Sequence, residues 1–195
     1  MNRREAIQRT ALTLGYAISA PLVSAVMNGC KAKPELTFQP KFLNEDQAQL
    51  VSALAETIIP KTDTPGAIEA GVPGFIDDIL ANVYTREQQD SFVAGLAEFQ
   101  TEAGDFTGST REEQLAFVQK KNSDLLGGGS KAASEGWWAK GAKSTKPFFL
   151  EFKELTLLGF FTSEAGATQV VQYNQVPGPF KGCVPLKEVG KAWAT

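Results

Sequence analysis

The chain has 195 residues, a hydrophobic fraction of 43%, 19 Lys and Arg against 22 Asp and Glu, and a net charge of -3; that is enough for one domain with a real core, and too acidic for a nucleic-acid backbone binder, which needs clustered positive charge. It contains no His, which excludes Ser-His-Asp and Cys-His nucleophile systems, HExxH zinc sites and CxxCH haem attachment. Its two Cys are too few for an iron–sulfur cluster or a Cys-rich structural zinc, so most metal and nucleophile chemistry is excluded, and a carboxylate-only site for a divalent cation or glycoside hydrolysis remains open.

Residues 1–29 read as an export signal. Arg3, Arg4 and Arg9 precede a largely apolar, uncharged run over 11–26, with Pro21 near its end. Thr10, Thr13, Ser19 and Ser24 interrupt the run and leave it short of the ~20 strongly apolar residues of a spanning helix. The Arg3-Arg4 pair before a weakly apolar run resembles a twin-arginine signal; a general secretory signal that carries two arginines is the competing reading. Gly29-Cys30, followed by Lys31, Lys33 and Pro34, resembles a lipoprotein cleavage site, at which Cys30 takes a lipid anchor. Met27 and Asn28 depart from that pattern, and an ordinary Cys beyond a conventional cleavage point is the alternative.

Loss of 1–29 removes three bases and one acid and takes the net charge from -3 to -5. An exported chain works in an oxidising compartment. With Cys30 acylated, Cys183 is an odd thiol, which suggests a disulfide to another subunit. An internal Cys30–Cys183 bridge is the alternative.

Residues 30–42, with Pro34 and Pro40, read as a tether, and 43–195 as one helical domain. Asn44 caps a helix with Leu50, Val51, Leu54 and Ile58 at helical spacing, and Gln47 completes a capping box. Pro60 ends it, and Thr62, Asp63, Thr64, Pro65 and Gly66 form a loop. Pro73 opens a second helix with Phe75, Ile76, Ile79, Leu80 and Val83 as its stripe. Thr85 caps a third, carrying Phe92, Leu96 and Phe99. Thr110 and Glu113 box a fourth through Leu115 and Val118, with Lys120 and Lys121 near its end, where cations suit the helix dipole.

Three consecutive glycines at 127–129 lack GxGxxG spacing and a Gly-Lys-Ser/Thr ending, so they read as a connector and not as a phosphate cradle. Pro147 precedes a strongly apolar helix with Phe148, Phe149, Phe152, Leu155 and Leu158. Ser163 opens a shorter helical stretch ending near Tyr173, and the tail from Val176, rich in Pro and Gly, reads as extended. No run alternates with period two. The fold class is therefore all-α: an irregular helical domain with long loops and an extended C-terminal tail.

Four aromatics are candidates for a partner interface. Trp137 and Trp138 are of the type enriched at interface hot spots, with packing under a long loop as the bland reading. Phe160 and Phe161 are adjacent on one helix, so both cannot face inward; one belongs to the core and the other is available to a partner. Asp77 and Asp78 point about 100° apart on a helix and make no catalytic dyad. One reads as solvated, the other as a cap or ion-pair partner. No pair of acids is placed by spacing for hydrolysis.

Two stretches carry a resemblance. One is Glu56-Thr57-Ile58-Ile59-Pro60 with Asp63, Pro65-Gly66-Ala67, Ala70-Gly71-Val72-Pro73 and Phe75-Ile76-Asp77. The other is Leu157-Leu158-Gly159-Phe160-Phe161-Thr162-Ser163-Glu164-Ala165-Gly166, running on to Tyr173 and to Pro177-Gly178-Pro179-Phe180-Lys181-Gly182-Cys183. Together, over about 43–184, they resemble the gluconate 2-dehydrogenase subunit 3 family.

The resemblance implies a non-catalytic small subunit, with no cofactor of its own, of a periplasmic or envelope-associated sugar or polyol dehydrogenase. The implied partner is a large flavoprotein of the glucose-methanol-choline class that holds the FAD, and the resemblance leaves room for a cytochrome c subunit. The implied role is to help that flavoprotein fold and to export it. A twin-arginine route, which carries folded proteins, suits a preassembled pair. Absence of His agrees independently, because hydroxyl oxidation by flavin needs a base, commonly His. The competing reading is an exported lipoprotein scaffold with no oxidoreductase partner.

Overall fold

The computed structural model describes residues 36–127, 146–176, 178–179 and 182–194. The expectations for Arg3, Arg4, Cys30, Trp137 and Trp138 lie outside these residues. Among the described residues the fold is all-α: α1 Glu45–Ile58, α2 Val72–Asn82, α3 Arg86–Ala103, α4 Arg111–Gly127, α5 Phe148–Thr162 and the short α6 Leu186–Val189. A π-helical turn, Gly166–Val170, follows α5. The only extended pairing in these residues is one parallel bridge between Gln172 and Trp193.

The helix starts follow their caps. The Asn44 side chain accepts from the Gln47 amide at 2.9 Å, and Gln47 answers to the Asn44 amide at 3.1 Å. Thr85 forms the same reciprocal box with Gln88, and Thr110 with Glu113. Each box satisfies two amides that the first turn cannot pair within the helix. α2 starts differently. Gly71 precedes it at φ 75°, a left-handed conformation that favours glycine, and Pro73 sits in the first turn.

α5 is the hub. It packs on α1, α2 and α3, while α1 also packs on α2 and α4. Phe152, fully buried, lies among the rings of Phe92 and Phe148, with centroids 6.4 and 5.8 Å away. Phe99 continues the aromatic core, edge-on to Phe106 and Phe117 at 5.4 Å each. Offset and edge-on ring pairs of this kind add to the stabilisation that burial alone provides.

Several local expectations are corrected. Val83 is 65% exposed, because α2 stops at Asn82 and leaves it beyond the last turn. Leu115 is exposed, because α4 docks through Phe117, Val118 and Leu125 instead. α4 continues well past Lys120 and Lys121 to Gly127, so neither is in its last turn; Lys121 pairs with Glu102 on α3. The end of the expected tether is docked: Leu36, Phe38 and Phe42 pack against the core. The tail holds the single turn of α6 after Pro185.

Candidate partner-docking surface

Two carboxylates in the motif stretches, Glu56 and Asp77, are bound to the protein's own backbone. Glu56, near the end of α1, accepts from the Lys61 amide at 3.0 Å and the Ile68 amide at 2.9 Å, and so ties both ends of the loop after Pro60. Gly66 makes that possible. A Cβ there would stand 2.7 Å from the Lys61 nitrogen and against the Glu56 carboxylate. Asp77 on α2 is 1% exposed and accepts three consecutive amides, Lys41 at 2.6 Å, Phe42 at 3.2 Å and Leu43 at 2.8 Å. Asp78 pairs with the Lys41 ammonium at 2.6 Å on the surface; this hydrogen bond and charge raise the Lys41 pKa above its ordinary value. The expectation of one solvated acid and one cap or ion-pair partner holds only in part: both are engaged, Asp77 buried on three amides and Asp78 exposed but paired with Lys41.

Tyr84 donates to Glu151 at 2.7 Å and links the connection between α2 and α3 to α5. Burial, and then that hydrogen bond, push its phenol above its ordinary value. Among the described residues no three His, Cys, Asp or Glu side chains are grouped to hold a metal. Two shallow, open clefts border residues 36–40, one of them reaching Glu56, Lys61 and Glu69.

What stands out on the surface is α5. Its inner side buries Phe149, Phe152, Leu155, Thr156, Gly159 and Phe160. Its outer side carries Leu157, Leu158 and Phe161 at helical spacing, with Leu158 52% and Phe161 44% exposed. With the inner side packed on the core, the second apolar side of the helix is left facing solvent. Its 15 residues fall short of the ~20 of a membrane span, and no described helix is long and apolar enough to cross a membrane. Polar flanks bound the patch: Glu154 before it pairs with Lys146, and Thr162 and Glu164 after it are exposed.

Phe160 and Phe161 therefore part company. Phe160 is 3% exposed and belongs to the core, so only Phe161 of the pair faces outward. Leu157 and Leu158 were not singled out as candidates. The signal for them is the second apolar set, at 157, 158 and 161, out of phase with the buried set at 152, 155, 156, 159 and 160. Cys183 is exposed in the tail, which also shows Tyr173, Val176, Leu186 and Trp193 to solvent. Gln172 holds this tail: its backbone exchanges hydrogen bonds with Ala192 and Ala194 at 2.7 Å each, and its side chain donates to the carbonyls of Val189 and Lys191.

These features define a small helical domain that keeps Glu56 and Asp77 for its own loops and turns an apolar helix face outward. The family profile of gluconate 2-dehydrogenase subunit 3 matches residues 45–178. The chain belongs to that family, which makes it a subunit of a multi-subunit gluconate 2-dehydrogenase-type complex. No curated protein and no solved structure matches it.

Proposed function

We propose that this chain is the non-catalytic small subunit of an exported, FAD-dependent gluconate, glucose or polyol dehydrogenase, and that it helps the large flavoprotein subunit fold and leave the cell by the twin-arginine route. The observation that carries this is the outward apolar face of α5, Leu157, Leu158 and Phe161, on a chain that belongs to a dehydrogenase subunit family. A patch of this kind on a soluble domain marks an interaction site. The flavoprotein is the occupant that the family relationship supports.

The residues support an accessory role. The chain has no His to accept a hydroxyl proton. Glu56 and Asp77, two of the carboxylates inside the motifs, are bound to backbone amides. Flavin chemistry in this reading belongs to the large subunit. The Arg3-Arg4 signal supplies the export address, Cys30 is the proposed lipid anchor at the envelope, and exposed Cys183 is the proposed disulfide partner of a large-subunit Cys.

The test is co-expression with a large flavoprotein subunit of the glucose-methanol-choline class from the same host. The purified chain alone is expected to show no flavin absorbance and no dehydrogenase activity. The pair is expected to give soluble, exported activity that is lost when Arg3 and Arg4 are both replaced by Lys. Stoichiometric flavin on the isolated chain, or full activity of the large subunit exported without it, would overturn the proposal.

A further inference from the structure

We infer that residues 36–43 form a latched strap, seated on the α1–α2 pair by the carboxylate of Asp77, and that this latch closes only when the pair is folded. The inference stands apart from the subunit reading.

The strap is neither helix nor strand, so its amides need partners from elsewhere. Three consecutive ones, of Lys41, Phe42 and Leu43, converge on the two oxygens of Asp77, from 34 to 36 residues away. Hydrogen bonds to a charged acceptor are among the stronger kind. The Lys41 ammonium adds an outer tie to Asp78. On the apolar side Leu43 is buried, Leu36, Phe38 and Phe42 pack against the core, and Phe38 lies over Gly74.

The seat is composite. Asp77 is presented by the second turn of α2, and the strap runs directly into Asn44, the cap of α1. Both helices must be in place before the three amides meet one carboxylate. Opening the strap, by contrast, breaks no helix. That is the condition for a local unit that opens below the cost of global unfolding. Asp77 acts here as a positioning residue for the strap.

The test is hydrogen exchange read by mass spectrometry on the full chain, together with the rate of trypsin cleavage after Lys41. In Asp77→Asn, exchange across 41–43 and cleavage after Lys41 are expected to speed up about tenfold or more, the loss of at least one charge-assisted hydrogen bond, while α3, α4 and α5 keep their protection. Phe38→Ala, which leaves the carboxylate untouched, is expected to open the same segment and no other. Unchanged exchange at 41–43 in Asp77→Asn overturns the inference, as does equal acceleration through all helices in both variants. If Asp77→Asn does not fold, Phe38→Ala decides by the same two outcomes: opening confined to the strap supports the latch, and global opening or none overturns it.

Discussion

Phe152→Ala is expected to destabilise the domain by about 3–5 kcal/mol and to lower its melting temperature by roughly 10 °C. Phe152 is fully buried on the helix that touches α1, α2 and α3. Its ring lies beside those of Phe92 and Phe148, which are themselves 5.1 Å apart and edge-on. Neighbours anchored on two helices relax little into the space a ring leaves, so both the transfer free energy and the cavity contribute. Phe161→Ala, nine residues on and exposed, is expected to change stability by no more than about 0.5 kcal/mol. Chemical denaturation of both variants checks the contrast, and equal losses would contradict the placement of α5 at the centre of the fold.

The largest functional effect is expected from Leu158→Asp combined with Phe161→Asp. Both side chains lie on the outer face of α5, so the isolated domain should keep its helicity and its denaturation midpoint. Binding is different. Two central apolar side chains in an interface are each worth about 2 kcal/mol or more, and an unpaired carboxylate buried there costs further free energy. Recovery of the flavoprotein with the small subunit is expected to fall by about a hundredfold or more. Undiminished recovery with a folded double variant would place the interface elsewhere.

Much of the helical frame was legible before any coordinates. Asn44, Thr85, Thr110 and Pro73 mark four helix starts because caps and first-turn prolines act locally, through amides three residues away. The angular separation of Asp77 and Asp78 on one helix rules out a dyad and does not say which of them is buried. What was not legible depends on contacts distant in sequence. The Asp77 clasp on 41–43 and the Glu56 clasp on Lys61 and Ile68 join segments by geometry that no periodicity encodes. The same holds for docking of Leu36 and Phe38, which turned part of an expected tether into a strap.

Helix faces were read less well than helix positions. Leu115 and Val83 match a 3.6-residue stripe, yet both are exposed, because a stripe says which side is apolar and not where the neighbouring helix ends. In α5 the difficulty is reversed. Apolar residues on both sides give no stripe at all, and only packing on α1, α2 and α3 reveals which side remains outward. The candidate site is therefore the part of the surface that the sequence pattern conceals best.

Native mass spectrometry of the assembly purified from its host, with and without reductant, tests the central claim most directly. A heteromer is expected in which this chain accompanies a larger flavoprotein, with FAD leaving on the larger subunit when the two are dissociated in the gas phase. Recovery of this chain only as a monomer or homo-oligomer, or with FAD retained on itself, would contradict it.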